Sequence, residues 1–364
     1  MEVAYLLISR GGLPHRNLST WTAELKQRLS GLNLGDRSPS AVSRLINITN
    51  EAALIEAHRG NYKAAADICC SQLANLHRHP EAHTFAIARC ALNPWLNLGR
   101  LASLSGSASD ACRMFALFRD STGIANLAGV ALNLSELNAR LRAEKGYPDF
   151  CTHVYVGNSL RALVRNGAWS DLVAFTESCA SVDPSMRPIV DEARVVASIY
   201  LGRPAEALEV AKAHRNAQRL YVRLTFQVRE LECLARLGRR AENELWTELE
   251  AGVTATMAER ERSVGPLALG LHLAEVALQD NDRATARRVA AQCLAGAESL
   301  GDELYTHAAL RMLSSCSDEP DASSFGAMAE RLAAQSGYEA MRDGRRRSTW
   351  EPSDLADTAC EALA

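Results

Sequence analysis

The chain of 364 residues is 47% hydrophobic and carries a formal net charge of −3 at pH 7, so it can bury a large core. Length alone would predict about two domains. Only 5% of the residues are aromatic, and no run alternates convincingly between apolar and polar residues as a half-buried strand does; Glu2–Ser9 is the one strand-like stretch. The composition therefore argues against a sheet protein, and we expect an all-α chain.

Residues 1–40 are predicted to form an N-terminal capping segment. The apolar run Val3–Ile8 is too short to span a bilayer, and no positive charge precedes it as in a secretory signal. We expect a helix over Thr20–Leu29. Ser38–Leu45 looks superficially like part of a DNA-reading helix, but the region is too short and too neutral for a helix-turn-helix unit. These features predict a cytoplasmic protein that binds neither membrane nor nucleic acid.

The most informative run reads as a helix, a glycine turn and a second helix. It contains, in order, Trp95, Leu98, Gly99, Ala102, Gly106, Ala111 and Phe115. This spacing resembles the tetratricopeptide repeat, W-x2-L-G-x2-Y…A-x3-F…P over about 34 residues, with alanine in place of the usual tyrosine. The resemblance implies antiparallel helix pairs stacked into a right-handed superhelical solenoid, because one such unit cannot bury its apolar face alone.

Further turn signals repeat the pattern in a degenerate form. They lie at Gly60, Gly167, Gly202, Gly238 and Asn281–Arg283. Small or apolar residues follow the turns at the positions where two helices must approach closely, and we expect burial of Ala65, Ala111, Leu172, Ala207 and Ala286. The longest gap holds Ile124–Lys145, an apolar run that predicts an added helix or helix pair. The predicted array covers residues 41–336. Residues 337–364 are predicted to be a charged, mobile tail.

The ten cysteines do not indicate a disulfide framework. There is no C-x-x-C, and several fall beside alanine and leucine within amphipathic helices: Cys69, Cys112, Cys179, Cys233 and Cys293. Free cysteine behaves there as a small apolar residue, and a reducing compartment fits this use.

A histidine cluster is the conspicuous candidate for metal chemistry. His77, His79 and His83 could in principle hold Zn²⁺, which takes about four ligands in structural sites. No carboxylate or thiol with recognisable ligand spacing lies nearby, so we favour a loop followed by a helix start and predict no metal and no cofactor. The metalloprotease, nucleophile-elbow, Walker and dinucleotide fingerprints are absent from the sequence.

A polar pair recurs on the first helices of the repeats. Asn97 and Arg100 lie nine and six residues before the turn at Gly106, and Asn158 and Arg161 have the same offsets from Gly167. Basic residues extend the series along the predicted groove. The predicted ligand-binding residues are Asn97, Arg100, Asn158, Arg161, Arg165, Arg229 and Arg236.

The series loosely resembles the clamp with which some tetratricopeptide proteins grip the terminal carboxylate of a peptide, although its lysines are missing. A guanidinium offers a planar fork that matches a carboxylate or a phosphate at two points. The alternative is that these arginines pair with acidic side chains along the groove wall. The acidic candidates for such an internal lattice are Glu192, Glu232 and Glu275.

The function predicted from these features is a non-catalytic binding module for an acidic peptide, a protein partner or an anionic small molecule. One alternative is an enzyme or enzyme subunit of specialised metabolism that uses the groove as a pocket for an anionic substrate. The 4 lysines against 36 arginines resemble the composition of actinobacterial proteins, which bears on origin and not on chemistry. Another alternative is the sensor part of a transcription regulator, because helical repeats with Asp-Arg-Ala turns, such as Asp282–Ala284, resemble such sensors. The absence of a catalytic fingerprint favours binding. The apolar Val3–Ile8 also indicates a contact with the first repeat or with another subunit.

Overall fold

The computed structural model describes residues 15, 17–33, 38–77, 93–120, 124–127, 130–133, 146–179, 183–259 and 264–336. Fifteen α-helices account for most of these residues. They are α1 (Leu18–Ser30), α2 (Pro39–His58), α3 (Tyr62–His77), α4 (Asn93–Leu104), α5 (Ala108–Asp120), α6 (Tyr147–Arg165), α7 (Trp169–Ser178), α8 (Arg187–Tyr200), α9 (Pro204–Ala213), α10 (Leu220–Arg236), α11 (Asn243–Glu259), α12 (Gly265–Gln279), α13 (Arg283–Leu300), α14 (Glu303–Cys316) and α15 (Asp321–Ser336). The predicted all-α class is confirmed.

One short hairpin departs from the helical pattern. Strand β1 (Ile124–Leu127) pairs antiparallel with β2 (Val130–Asn133), so that Leu127 lies opposite Val130. The prediction of a helix within Ile124–Lys145 is therefore wrong over the residues that form β1 and β2. Short apolar runs fit a strand or a helix equally well by periodicity, and the sequence carries a glycine, which disfavours a helix, between the two strands. Residues 134–145 lie outside the described residues.

The six predicted turns are confirmed. Each contains a residue with positive φ: Gly60, Gly106, Gly167, Gly202, Gly238 and Asn281. Glycine adopts this left-handed conformation without a Cβ penalty, and asparagine tolerates it better than most residues. Asn281, with φ of 63°, is the one non-glycine residue of this kind within the described ranges. A further left-handed glycine, Gly301, ends α13 and was not predicted.

The close helix contacts expected from the small residues are present. Ala65, Ala111, Leu172, Ala207 and Ala286 are all fully buried, as predicted.

Gly99 lies where two helices pack too closely to leave room for a side chain. A Cβ atom at Gly99 would lie 2.4 Å from a ring carbon of Phe115. The Phe115 side chain is itself buried, so α4 and α5 can approach only because position 99 has no side chain. The neighbouring Trp95 is also buried, and its indole N–H donates to the carbonyl oxygen of Met114 at 2.8 Å.

The described residues divide into two compact units. The first unit contains α1–α6 and the hairpin, within residues 18–166. The second unit contains α7–α15, within residues 167–336, together with His15 and Asn17. Consecutive helices pack on one another within each unit. The first helices of neighbouring pairs also make contact: α2 with α4 and α4 with α6 in the first unit, and α8 with α10, α10 with α12 and α12 with α14 in the second.

The structure describes part of the segment that precedes the predicted array, so some of the predictions made for it can be checked. The helix expected over Thr20–Leu29 is confirmed as part of α1. Ser38 caps α2, since its hydroxyl accepts the backbone N–H of Ala41, and Pro39 occupies the first helical turn. This explains the Ser-Pro pair as a helix start. The run Val3–Ile8 and the tail from residue 337 lie outside the described residues.

The start of the chain contacts α14. The backbone N–H of His15 donates to the carboxylate of Asp302 at 2.8 Å, and the N–H of Glu303 donates to the carbonyl oxygen of His15 at 2.9 Å. Asp302 is fully buried and also caps α14 by accepting the N–H of Tyr305 at 2.8 Å. The Asp302 carboxylate therefore accepts hydrogen bonds both from the N-terminal turn of α14 and from the backbone of His15.

The eight cysteines in the described ranges are free thiols. Burial raises the pKa of Cys69 to about 12 and that of Cys293 to about 12, so these side chains stay protonated and apolar. None of the helices in the described part is both long and apolar enough to cross a membrane.

Candidate functional site

Two positions on the first helices carry polar side chains in four of the helix pairs. They lie nine and six residues before the left-handed turn residue. The pairs are Asn97 and Arg100 on α4, Asn158 and Arg161 on α6, Arg229 and Glu232 on α10, and His272 and Glu275 on α12. A spacing of three places both members of a pair on the same face of the helix. Because first helices contact each other within a unit, these faces can form side-chain networks between repeats.

In the first unit these side chains form a continuous chain of hydrogen bonds, here named the amide–arginine ladder and comprising Asn50, Asn97, Arg100, Asn158 and Arg161. Asn97 Nδ2 donates to Asn50 Oδ1 at 2.6 Å, and Arg100 Nη1 donates to Asn97 Oδ1 at 3.0 Å. Arg100 Nε then reaches Asn158 Oδ1 at 3.4 Å. Arg161 Nη1 lies 3.5 Å from the same oxygen. The ladder therefore connects α2, α4 and α6.

The two central asparagines are held with their oxygens toward the arginines. Asn158 is buried, and its Nδ2 donates to the carbonyl oxygen of Val154 at 2.8 Å. Asn97 is also buried and uses its Nδ2 on Asn50. Since the amide nitrogens are engaged elsewhere, the oxygens are left to accept from the guanidinium groups.

Arg100 is an exposed cation whose hydrogen-bond partners are both neutral. Within the described residues it contacts the amide oxygens of Asn97 and Asn158 and no carboxylate. Nearby protein atoms displace part of the water around the guanidinium, and this desolvation lowers the pKa of Arg100 from its ordinary value. An arginine remains protonated even so. The ladder thus presents a positive charge that its own partners do not neutralise.

The two basic residues predicted as ligand-binding on α6 lie on the helix face that carries Asn158. Arg161 and Arg165 lie one and two turns beyond Asn158, and both are exposed. The structure thus brings Asn97, Arg100, Asn158 and Arg161 together, and it places Arg165 at the continuation of the ladder along α6.

In the second unit the equivalent positions form a buried ion-pair network. The Arg229 side chain is 2% exposed, and its Nη2 lies 3.0 Å from Glu192 Oε1. Its Nη1 lies 2.9 Å from Glu232 Oε2, and His272 Nε2 lies 3.1 Å from that same oxygen. His272 Nδ1 is 3.5 Å from Glu275 Oε2. Arg229, predicted as a ligand-binding residue, therefore has the internal partners that the salt-bridge alternative specified, and we leave it out of the candidate site.

The pKa shifts of Arg229, Glu232 and His272 all favour the charged forms of these three side chains. Burial alone would favour the neutral form of each group. The pKa of Arg229 is nevertheless raised by the carboxylates of Glu232 and Glu192, and His272 and Arg229 together hold the pKa of Glu232 well below its usual range. Although burial and the nearby Arg229 oppose it, Glu232 raises the pKa of His272 above its ordinary value.

Arg236 lies elsewhere on the second unit, at the end of α10. Its guanidinium carbon is 5.8 Å from the centroid of the Tyr200 ring, and Tyr200 stacks on Trp169 with centroids 4.4 Å apart. This is cation–π geometry against an aromatic pair. Its environment resembles neither the ladder nor the buried network.

Sequence reasoning missed two members of these networks. Asn50 lies ten residues before Gly60, one position away from the recurring offset. His272 lies nine residues before Asn281, so applying the recurring offset to this turn would have identified it.

Metal binding has no candidate among the described residues, since no group of three or more histidine, cysteine, aspartate or glutamate side chains there could hold an ion. The predicted histidine cluster is not part of that search. His79, His83 and the side chain of His77 lie outside the described residues.

Comparison with the models of known protein families gives no match. The curated proteins and the solved structures likewise contain no match to this chain. The resemblance to tetratricopeptide repeats consequently rests on the residues and turns described above.

Proposed function

We propose that the chain is a non-catalytic binding module that holds an anionic group of its ligand at the amide–arginine ladder. The observation that carries this proposal is the contrast between two arginines on first helices. Arg229 is buried between two carboxylates, whereas Arg100 is exposed and bonded only to amide oxygens. A cation held in place without a counter-charge gains most from an external anion.

The hydrogen-bonding capacity of Arg100 supports this role. A guanidinium has five N–H donors, and the contacts to Asn97 and Asn158 engage Nη1 and Nε. In the described part of the chain, Nη2 makes no hydrogen bond. The two asparagines fix the plane of the guanidinium, so little rotamer freedom is lost when an anion binds.

The proposed architecture is a tetratricopeptide-like right-handed superhelix in which first helices line a concave groove. The left-handed turns, the buried small residues behind them and the contacts between neighbouring first helices support this arrangement. An extended groove suits an acidic peptide or protein segment as well as an anionic small molecule. The free thiols are in keeping with a cytoplasmic location.

Calorimetric titration of the full chain with citrate tests the proposal. Citrate is a probe that presents several carboxylates, and we expect it to bind the wild-type chain and to bind Arg100→Ala far more weakly. Arg113→Ala is the matched control, because Arg113 is an exposed arginine of the same unit that already faces the carboxylate of Asp110 at 3.5 Å. Equal affinities of the two variants would remove the ladder from consideration.

A further inference from the structure

Arg223, near the start of α10 in the second unit, is a partly buried arginine without a counter-charge. Four arginines in the described ranges are fully or partly buried, and the other three lie against carboxylates: Arg59, Arg119 and Arg229. Among the described residues Arg223 has no ion pair, and its enclosed Nε atom has no hydrogen-bond partner. A cation that has lost part of its hydration in this way gains from a bound anion.

Gln227 lies one turn after Arg223 on the same face of α10, and its side-chain oxygen also lacks a partner. The residue is only 3% exposed, and within the described ranges its Oε1 accepts no hydrogen bond. Residues four apart on a helix are neighbours. An enclosed acceptor therefore lies beside an enclosed donor, Arg223 Nε, and a bond between the two would fix the plane of the guanidinium.

The start of α10 is an unfavourable place for a cation with no counter-charge. Arg219 occupies the N-cap position and makes no side-chain capping bond, and the first turn contains no acidic residue. The N-terminus of a helix carries about half a positive charge, which favours anions and disfavours cations. The helix end therefore adds to the attraction that Arg223 exerts on an anion.

An arginine–carboxylate fork is already present further along the same helix. Arg215 donates to both oxygens of the buried Glu230, through Nε at 3.2 Å and through Nη2 at 2.6 Å. Glu230 lies three residues after Gln227, so the polar face of α10 continues from one arginine to the other. What Arg223 lacks among the described residues is the acidic partner that Arg215 has.

We infer that Arg223 binds a carboxylate, at a second anion site separate from the amide–arginine ladder. Its Nε is enclosed by protein, whereas Nη1 and Nη2 reach solvent, so the open edge of the guanidinium is the one formed by these two atoms. The two parallel N–H donors of this edge match the two oxygens of one carboxylate, and its single charge balances that of Arg223. Gln227 is a positioning residue, whose Oε1 accepts from Arg223 Nε when the anion is held.

NMR spectra of the arginine guanidinium carbons, recorded while the full chain is titrated with acetate, test the site. Arg223→Lys identifies the signal of Arg223. We expect this signal to shift in a saturable way, and the signal of Arg194, an exposed arginine on α8, to stay in place. A shift at Arg223 no larger than that at Arg194 would overturn the inference. Because each arginine gives its own signal, the outcome does not depend on binding at the amide–arginine ladder.

Methanesulfonate is the matched probe for the class of anion. It carries the same single charge as acetate, but its oxygens are arranged tetrahedrally and do not match the planar fork. We expect it to bind at Arg223 about threefold or more weakly than acetate. Equal or tighter binding of methanesulfonate would overturn the assignment of the site to a carboxylate.

Two variants of Gln227 test the assigned geometry. Gln227→Glu supplies Arg223 with an internal carboxylate one turn away, and we expect the acetate affinity at Arg223 to fall about tenfold or more with an unchanged helical circular dichroism spectrum. Gln227→Leu removes only the positioning acceptor and should weaken acetate binding about threefold. Unaltered acetate affinity in the folded Gln227→Glu variant would overturn the inference, and unaltered affinity in Gln227→Leu would overturn the positioning role.

The source of the carboxylate is resolved by a third probe. A short peptide with blocked ends and one central glutamate presents the same group on a polypeptide. Tighter binding of this peptide than of acetate at Arg223 would assign the site to an acidic side chain of a protein, and the reverse order would assign it to a small carboxylic acid. Both orders support a carboxylate site, while equal binding of the same peptide with glutamine in place of glutamate would contradict it.

Discussion

Arg100 on α4 and Asn158 on α6 are joined by a hydrogen bond of 3.4 Å between a cation and a neutral amide oxygen. In the second unit, a contact between two first helices joins Arg229 on α10 to the carboxylate of Glu192 on α8 at 3.0 Å. Arginines on first helices therefore have two kinds of partner among the described residues. A carboxylate neutralises the charge of Arg229, whereas the amide partners of Arg100 do not neutralise its charge.

Replacing Arg229 by alanine should destabilise the protein strongly. The change leaves the carboxylates of Glu192 and Glu232 buried without their main counter-charge, and breaking a buried pair in this way costs about 3–5 kcal/mol. Urea unfolding measures the difference. Arg100→Ala is the comparison, and we expect a smaller loss of about 1–2 kcal/mol, because the buried amide oxygen of Asn97 loses its donor but no charge is left unpaired. Equal losses in the two variants would contradict the distinction between the two networks.

His272 should make the stability of the protein depend on pH. Its folded-state pKa is raised above the ordinary value of 6.5, so the folded state binds the proton more tightly than the unfolded state. The resulting stabilisation is fully present below about pH 6.5 and is lost as the pH rises through the raised folded-state pKa. The charged groups that face the ring are Arg229, Glu232 and Glu275.

The measurement for His272 is the free energy of unfolding at several pH values between about 6 and 9, for the wild type and for His272→Gln. Glutamine cannot take up the proton, so the stability advantage of the wild type over the variant should shrink as the pH rises. An advantage that stays constant or grows over this range would show that His272 is not held in its charged form.

Gly99→Ala should disrupt the contact between α4 and α5. The added methyl group would lie 2.4 Å from a ring carbon of the buried Phe115, and overpacking of this kind costs about 1–3 kcal/mol. Gly157→Ala on α6 is the matched control, because its methyl group would meet only the Arg161 guanidinium at 3.8 Å. Alanine is favoured over glycine within a helix by roughly 0.5–1 kcal/mol, so the control should be neutral or more stable. Thermal unfolding that ranks Gly99→Ala above Gly157→Ala would contradict the packing.

Asp302→Ala should release the start of the chain as well as weaken a helix end. The N-cap interaction with Tyr305 is worth about 0.5–2 kcal/mol, and the same carboxylate accepts the N–H of His15. Hydrogen exchange at the His15 amide should therefore speed up in this variant. Asp282→Ala removes a comparable cap, to the N–H of Thr285, and should leave His15 protected. Faster exchange in both variants would point to general destabilisation.

The helix pairs and the turns within them could be predicted from the sequence because their determinants are local. A left-handed turn needs a glycine or asparagine, and a close helix contact needs a small residue such as Ala111 a few positions later. The hairpin could not be predicted in the same way, since the short apolar run beginning at Ile124 has no periodicity that separates a strand from a helix.

The candidate site was only partly predictable. The offset from the turn identified Asn97, Arg100, Asn158 and Arg161 because it fixes the helix face on which a side chain lies. It could not show that Arg229 meets carboxylates while Arg100 meets amides, since the partners depend on what the neighbouring first helix contributes. That helix provides an asparagine in one unit and Glu192 in the other, and this pairing is set by tertiary packing.

The most direct test of the account is an NMR spectrum of the arginine Nε–H groups during titration with inorganic phosphate. Arg100→Lys and Arg113→Lys identify the two signals of interest. We predict that the Nε–H signal of Arg100 shifts in a saturable way, because the bound anion competes with Asn158 for the guanidinium, and that the signal of Arg113 does not move. A saturable change at other arginines with no shift at Arg100 would contradict the assignment of the anion site to the amide–arginine ladder.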